Sequence, residues 1–176
     1  MTLRSLLADQ RANAAAEMAL VTPLLVLLLF GSVELGRYFM DEHVVVKAVR
    51  DGARYAARQP MDNFITSGGG CQAAPLGTVA TDTKRLVRTG TISGLNTRLP
   101  YWTADSTVTV TVVCYAAKGG QNMKGIYDGI TFGGSAVGAP VVTVTATVPY
   151  TSLFGLYFAS GALNLNASQQ AAVTGV

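Results

Sequence analysis

A single carboxylate stands at the edge of the most apolar stretch of the chain. Glu17 follows three alanines, and residues 18–33 carry no charge. A carboxylate inside a bilayer costs about 2–3 kcal/mol even on lenient insertion scales, and it usually marks function. The alternative is that Glu17 merely lies among the lipid headgroups. Glu17 is therefore the first candidate for a functional side chain.

The other chemistry-bearing residues form no catalytic pattern. The only histidine, His43, has charged neighbours on a polar helix face and is typical of a solvated residue. No serine lies in a hydrolase elbow, and the glycine-rich segment 125–138 lacks both GxGxxG and GK[ST]. Without a C-x-x-C pair, nothing predicts a metal or thiol-redox site. We therefore expect no enzymatic activity, cofactor or metal.

Charge and composition point away from nucleic acid. The net charge is only +3, and charged residues make up 13% of the chain. Most of this net charge lies on one helical stripe, without aromatic residues interleaved as in nucleic-acid binding motifs. We therefore expect no nucleic-acid partner.

The apolar stretch predicts a membrane-spanning helix. Residues 18–33 reach only ~24 Å as a helix, whereas residues 14–33 reach the ~30 Å of a hydrocarbon core. Glu34 and Arg37 come next, three residues apart, and Tyr38 and Phe39 follow, as at a membrane–water interface. The pattern then becomes amphipathic, with polar residues at helical spacing opposite small apolar ones, up to Pro60. The polar stripe comprises His43, Lys47, Arg50, Asp51, Arg54 and Arg58, and the apolar stripe Val45, Ala48, Val49, Gly52 and Ala56. We predict one helix over residues 13–58, ~70 Å long.

The remaining residues, 59–176, predict a small α+β domain. Residues 78–89 form a short helix that Thr78 caps and Gly90 ends. Alternating valine and threonine predict strands at 108–114 and 142–148, and a third alternation starts at Leu163. Three strands with one apolar face each need a cover, and the apolar stripe of the long helix supplies it. The expected fold is thus α+β, a long N-terminal helix packed on a small antiparallel sheet.

A cleavable secretory signal is a rival interpretation of the N-terminus. Arg4 and Arg11 precede an apolar run, as such signals require. Pro23 in the middle of that run, Glu17 at its head and the lack of a clear A-x-A site favour a retained helix. If the rival held, the protein would be a soluble secreted domain starting after about residue 33.

The N-terminal third of the chain resembles the TadE-like family, the pseudopilins or minor pilins of bacterial tight-adherence (Tad, Flp-type) pilus systems. The motifs lie in order along the helix, and the two strands, Pro149-Tyr150 and the last strand look more loosely similar. The helical motifs are 11-RANAAAEMAL-20, 23-PLL-25, 30-FG-31, 34-ELGR-37 and 48-AVRDGARYAA-57. The resemblance implies a pilin-like plan, with residues 1–12 as a cytoplasmic leader, 14–33 in the bacterial inner membrane and 59–176 in the periplasm.

The resemblance also implies roles for four residues near the start. A prepilin peptidase would cut between Ala12 and Asn13, although the family usually has glycine where this chain has Ala12. Glu17 would then be the fifth residue of the mature chain, and its carboxylate would face the N-terminal amine of a neighbouring subunit. Pro23 leaves the carbonyl of residue 19 without its helical donor. The result is either a plain kink or a point where the helix yields as it enters a filament.

The partners that the resemblance implies are the peptidase, the major Flp-type pilin, other minor pilins and the inner-membrane assembly platform. In a periplasmic domain, the only two cysteines, Cys71 and Cys114, favour one disulfide over two buried thiols. A different class of function stays open: an uncleaved, membrane-anchored periplasmic binding or scaffold protein, for which the helix is a static stalk. Cleavage after Ala12 separates the two.

Overall fold

One helix extends far beyond the domain that packs on it. The computed structural model describes residues 10–66, 70–115, 127, 131–132, 135–136, 138–154 and 163–175. Helix α1 (Gln10–Ala57) has 48 residues, which is about 72 Å at 1.5 Å per residue. It starts three residues before the predicted helix and ends one residue before Arg58, where the N–H groups of Arg58 and Gln59 bond back to the last turn ahead of Pro60.

The second helix, α2 (Val79–Thr89), lies where the sequence predicts it. Gly90 ends it in the left-handed conformation, φ 86°, and donates its N–H to the Leu86 carbonyl. The prediction that Thr78 caps the other end is wrong, since its side chain makes no capping hydrogen bond. Its backbone is already helical (φ −87°, ψ −6°), whereas a capping residue normally has an extended backbone.

The sheet has three antiparallel strands in the order β1-β4-β5. The strands along the chain are β1 (Val108–Cys114), β2 (Thr131–Phe132), β3 (Ser135–Ala136), β4 (Pro140–Pro149) and β5 (Asn164–Ala172). Strands β2 and β3 pair separately as a short hairpin, and single 3-10 turns occur at Met61–Asn63 and Asp105–Thr107. The predicted strands and the α+β fold class are thereby confirmed.

The core lies between the sheet and the second half of α1. Strand β1 buries every second residue, so Val110 faces the core while Thr109 and Thr111 face outward. Helix α1 contributes its predicted apolar stripe, which is fully covered. Trp102 is also buried and donates its indole N–H to the hydroxyl of Thr107 over 2.7 Å. The prediction that the helix covers the sheet is confirmed.

Gly52 sets how closely α2 approaches α1. A Cβ atom at this position would lie 2.3 Å from a methyl carbon of Val87. An ion pair between Arg98 and Asp51, 3.0 Å long, joins the same part of α1 to the loop after α2. Any side chain at residue 52 would therefore push the two helices apart.

Replacing Gly52 with alanine should destabilise the domain by about 1–3 kcal/mol, because the added methyl overpacks a filled contact. Unfolding by urea in detergent, followed by the emission of Trp102, measures the effect. Gly36→Ala is the matched control, since a Cβ there meets nothing within 4 Å and alanine favours the helix. Equal midpoints for the two variants would show that the close contact at residue 52 has no energetic weight.

Candidate assembly site and its junction with the domain

The first half of α1 carries no domain. Residues 14–33 are almost all exposed, and large apolar side chains such as Leu20 and Leu24 face outward at 81% and 58% exposure. By length and composition this is one helix that can cross a membrane, near the N-terminus. A surface so apolar needs lipid or another protein to cover it. The structure is thus consistent with a single membrane anchor.

Glu17 lies exposed on this uncovered half of α1. Within the described ranges, it has neither a hydrogen bond nor an ion pair. The predicted cleavage point, the bond between Ala12 and Asn13, lies in the helical backbone of α1. The side chains of both those residues are outside the described part, as is the leader up to residue 9. Among the residues that the structure describes, none satisfies the carboxylate of Glu17.

The turn around Pro23 has two local weaknesses. Pro23 lies inside α1 without ending it, and having no N–H it leaves the carbonyl of Ala19 without that donor. One residue earlier, the hydroxyl of Thr22 donates to the carbonyl of Met18 over 2.6 Å. Threonine hydroxyls bonded back in this way tend to bend helices. Both features fall on one turn, and they make it the most deformable point of the uncovered half.

Glu34, at the end of the apolar run, is buried, whereas its sequence context predicts a charge at a membrane–water interface. Its side chain is 3% exposed. The hydroxyl of Tyr150 donates to it over 2.8 Å, and the N–H of Leu153 lies 3.1 Å from both carboxylate oxygens. A buried carboxylate is tolerated only when it is bonded in this way. Glu34 thereby ties the segment after β4 to α1.

The helical period contains a signal that would have found this contact. Residues 34, 38, 41, 45 and 48 follow each other at spacings of three and four, so Glu34 continues the stripe that faces the domain. The prediction that Glu34 and Arg37 are charges at a membrane–water interface overlooked that Glu34 belongs to this stripe. In the structure Arg37 lies near Asp41 instead, at 3.8 Å.

Aromatic side chains surround the Glu34 contact. The ring of Tyr150 packs edge-on against Tyr38 and Tyr101, with centroids 5.2 and 6.3 Å away. Tyr101 donates its hydroxyl to Asp41 over 2.7 Å. Burial, and then the hydrogen bond to Glu34, raise the pKa of Tyr150 to about 12; burial and the bond to Asp41 raise the pKa of Tyr101 as well. Both phenols are therefore held as neutral donors to carboxylates on α1.

Cys71 and Cys114 form a disulfide, with their Cα atoms 5.9 Å apart. It joins the loop before α2 to the end of β1, as the sequence analysis expected for an extracytoplasmic domain. Among the described residues, no three His, Cys, Asp or Glu side chains come together as a metal-binding group. Two features therefore distinguish this chain. They are the uncovered first half of α1 and the contact of Glu34 with the segment after β4.

A long, half-uncovered N-terminal helix carries a small antiparallel sheet on its other half, which is the arrangement that the resemblance to pseudopilins predicts. A family model described as TadE-like protein matches residues 13–54, the same helical region whose motifs indicate that family. The match covers both halves of α1 and stops before the sheet. No curated protein and no solved structure matches the chain.

Removing the Tyr150 hydroxyl should weaken the attachment of the domain to α1. We expect Tyr150→Phe to cost about 1–2 kcal/mol of unfolding free energy near pH 7, because a hydrogen bond to a charged group is lost. Urea unfolding in detergent measures it. Tyr115→Phe is the control, since Tyr115 is half exposed at the end of β1 and should change little.

The difference in unfolding free energy between wild type and Tyr150→Phe should depend on pH. The folded-state pKa of Tyr150 is raised from 10.0 to about 12. The stability it contributes is therefore fully present below pH 10 and is lost as the pH rises towards 12. The difference between wild type and Tyr150→Phe should shrink over that window. A difference that stays constant from pH 8 to 12 would show that the phenol does not donate to Glu34.

Proposed function

We propose that the protein is a minor pilin, or pseudopilin, of a Tad-type pilus and has no enzymatic activity. The observation that carries the proposal is the division of α1: the TadE-like match covers 13–54, and within it an uncovered apolar half is followed by a half packed under a domain. A helix that first resides in a membrane and later packs among other helices needs such a surface. The domain would stay on the periplasmic side throughout.

Glu17 is the residue that we expect to guide assembly. Glu17 has no partner among the described residues, and a carboxylate moved into an apolar bundle without a partner is unfavourable. Cleavage before Asn13 would create a positively charged amine at the start of each mature helix. Packing that places this amine beside the Glu17 of a neighbouring subunit satisfies both charges and rejects other registers.

Partners follow from the two halves of the chain. The leader and the bond after Ala12 would meet a prepilin peptidase at the inner membrane, and the uncovered helix would meet the assembly platform and the helices of the major pilin. The periplasmic domain would contact the major pilin or other minor pilins, to initiate, cap or tether the fibre. The weak turn at Thr22 and Pro23 would let the helix adjust when it leaves the bilayer.

One observation favours the uncleaved anchor as a second candidate. Helix α1 begins at Gln10, so the bond between Ala12 and Asn13 lies in helical backbone. A peptidase would have to find this bond accessible, and the chain has Ala12 where the family usually has glycine. In that case α1 would be a permanent stalk for a periplasmic binding or scaffold domain.

The mature N-terminus decides between the two candidates. Intact mass of the protein made with and without its prepilin peptidase should show a chain starting at Asn13 only when the peptidase is present. Ala12→Gly should be cut at least as completely, and Ala12→Leu should stay uncut, because the larger side chain does not fit where a small residue is required. A chain that keeps Met1 in every sample would reject the processed pilin and leave the static anchor.

Glu17→Gln should be processed normally but should enter pili poorly. We expect the amount of protein in the sheared pilus fraction to fall about tenfold or more, since losing about 1.4 kcal/mol of subunit affinity has that effect. Asp62→Asn is the control, because Asp62 is an exposed acid on the domain. Incorporation of Glu17→Gln at the wild-type level would remove Glu17 from the assembly mechanism.

A further inference from the structure

We propose that Leu153 and Phe154, two residues of the segment after β4 that we call the tip, insert into the acyl region of the bilayer leaflet on the domain's side. The inference rests on the membrane placement of residues 14–33 in the proposed function. The insertion adds a second point of membrane contact. The domain would then contact the lipid surface directly in addition to being attached to α1.

The depth of the tip follows from one ring contact. The ring of Phe154 packs edge-on on that of Phe30, with centroids 4.7 Å apart. Phe30 precedes Val33, the last residue of the uncharged run, by three residues, which is about 4.5 Å along the helix axis. When the run 14–33 fills the hydrocarbon core, Phe154 therefore lies at the level of the acyl chains.

The surface around this contact is apolar and continuous with the span. The side chain of Leu153 is 53% exposed, and Phe30 and Val33 on α1 are exposed to similar degrees. The contact between Phe154 and Phe30 places these apolar side chains of the domain and of the membrane helix next to each other as one patch. Lipid acyl chains that cover Phe30 and Val33 must also meet the tip, since it lies against the same stretch of helix.

The polar groups near the tip are bonded in a way that permits insertion. A loop can lie at membrane depth only if its backbone groups find partners in the protein. The N–H of Leu153 lies against both oxygens of Glu34, which also accepts the hydroxyl of Tyr150, and the Tyr150 N–H bonds to the carbonyl of Leu163 over 3.0 Å. The buried carboxylate of Glu34 is thus what allows the segment to enter.

The test uses the full chain in nanodiscs and an environment-sensitive fluorophore on one added cysteine, the native pair being a disulfide. The variants are Leu153→Cys at the tip, Leu25→Cys in the span and Leu95→Cys on the domain. Leu95 is 92% exposed in the loop after α2, a loop tied to α1 at Asp51, which is about 26 Å beyond Glu34. Each label is quenched by lipids that carry a nitroxide on the acyl chain. Trp102 emission verifies that each variant is folded.

Quenching at residue 153 at least about threefold stronger than at residue 95 is expected, as for segments that insert ~5–10 Å into the headgroup–acyl boundary. Strong quenching at residue 25 with none at 153 would overturn the insertion and leave the membrane span standing. Absence of quenching at both 25 and 153 would overturn the span as well. If quenching at residue 153 becomes weaker as the protein-to-lipid ratio rises, a second copy of the chain covers the patch. That result would also overturn the insertion.

Discussion

One continuous helix has to satisfy two different surroundings. Residues 14–33 present leucine and valine on every side, whereas the second half of α1 presents apolar side chains on one stripe only. Only the second half has the single apolar stripe that a small domain can cover. The first half stays free for another apolar partner, such as lipid. The position of the sheet and the location of the core both follow from this division of α1.

The boundary between the halves is where the fold is most specific. Glu34 is the first charge after the apolar run, and it is buried under Tyr150 and the backbone of Leu153 rather than left in water. Glu34 exchanges water for three hydrogen-bonding contacts with the domain. These contacts fix both the axial position and the rotation of the domain on α1. At the other end, Gly52 allows α2 to approach closely. The two contacts together prevent the domain from sliding along the helix.

Much of this plan could be read from the sequence because its signals are local. The helix passes Pro23 without ending and continues until shortly before Pro60, and the strands at 108–114 and 142–148 alternate apart from Val113. One failure was local, and the other was a contact between distant segments. Thr78 has the residue type of a helix cap, yet the chain enters α2 with a helical backbone that leaves its hydroxyl unused for capping. Glu34 has the residue type of an interface charge, yet Tyr150 lies 116 positions away in the chain and buries it.

The sequence by itself determined the apolar run, the long helix and the two valine–threonine strands, because each depends on residue type and short spacing. The candidate role of Glu17 in assembly rests in addition on the resemblance to the TadE-like family. Only the tertiary structure decided that Trp102 belongs to the core, that Glu34 is a bonded anchor, and that Phe154 reaches Phe30 beside the span. Those outcomes depend on which segments meet after folding. Periodicity can place a residue on a face of its own helix, but it cannot identify the partner that will cover that face.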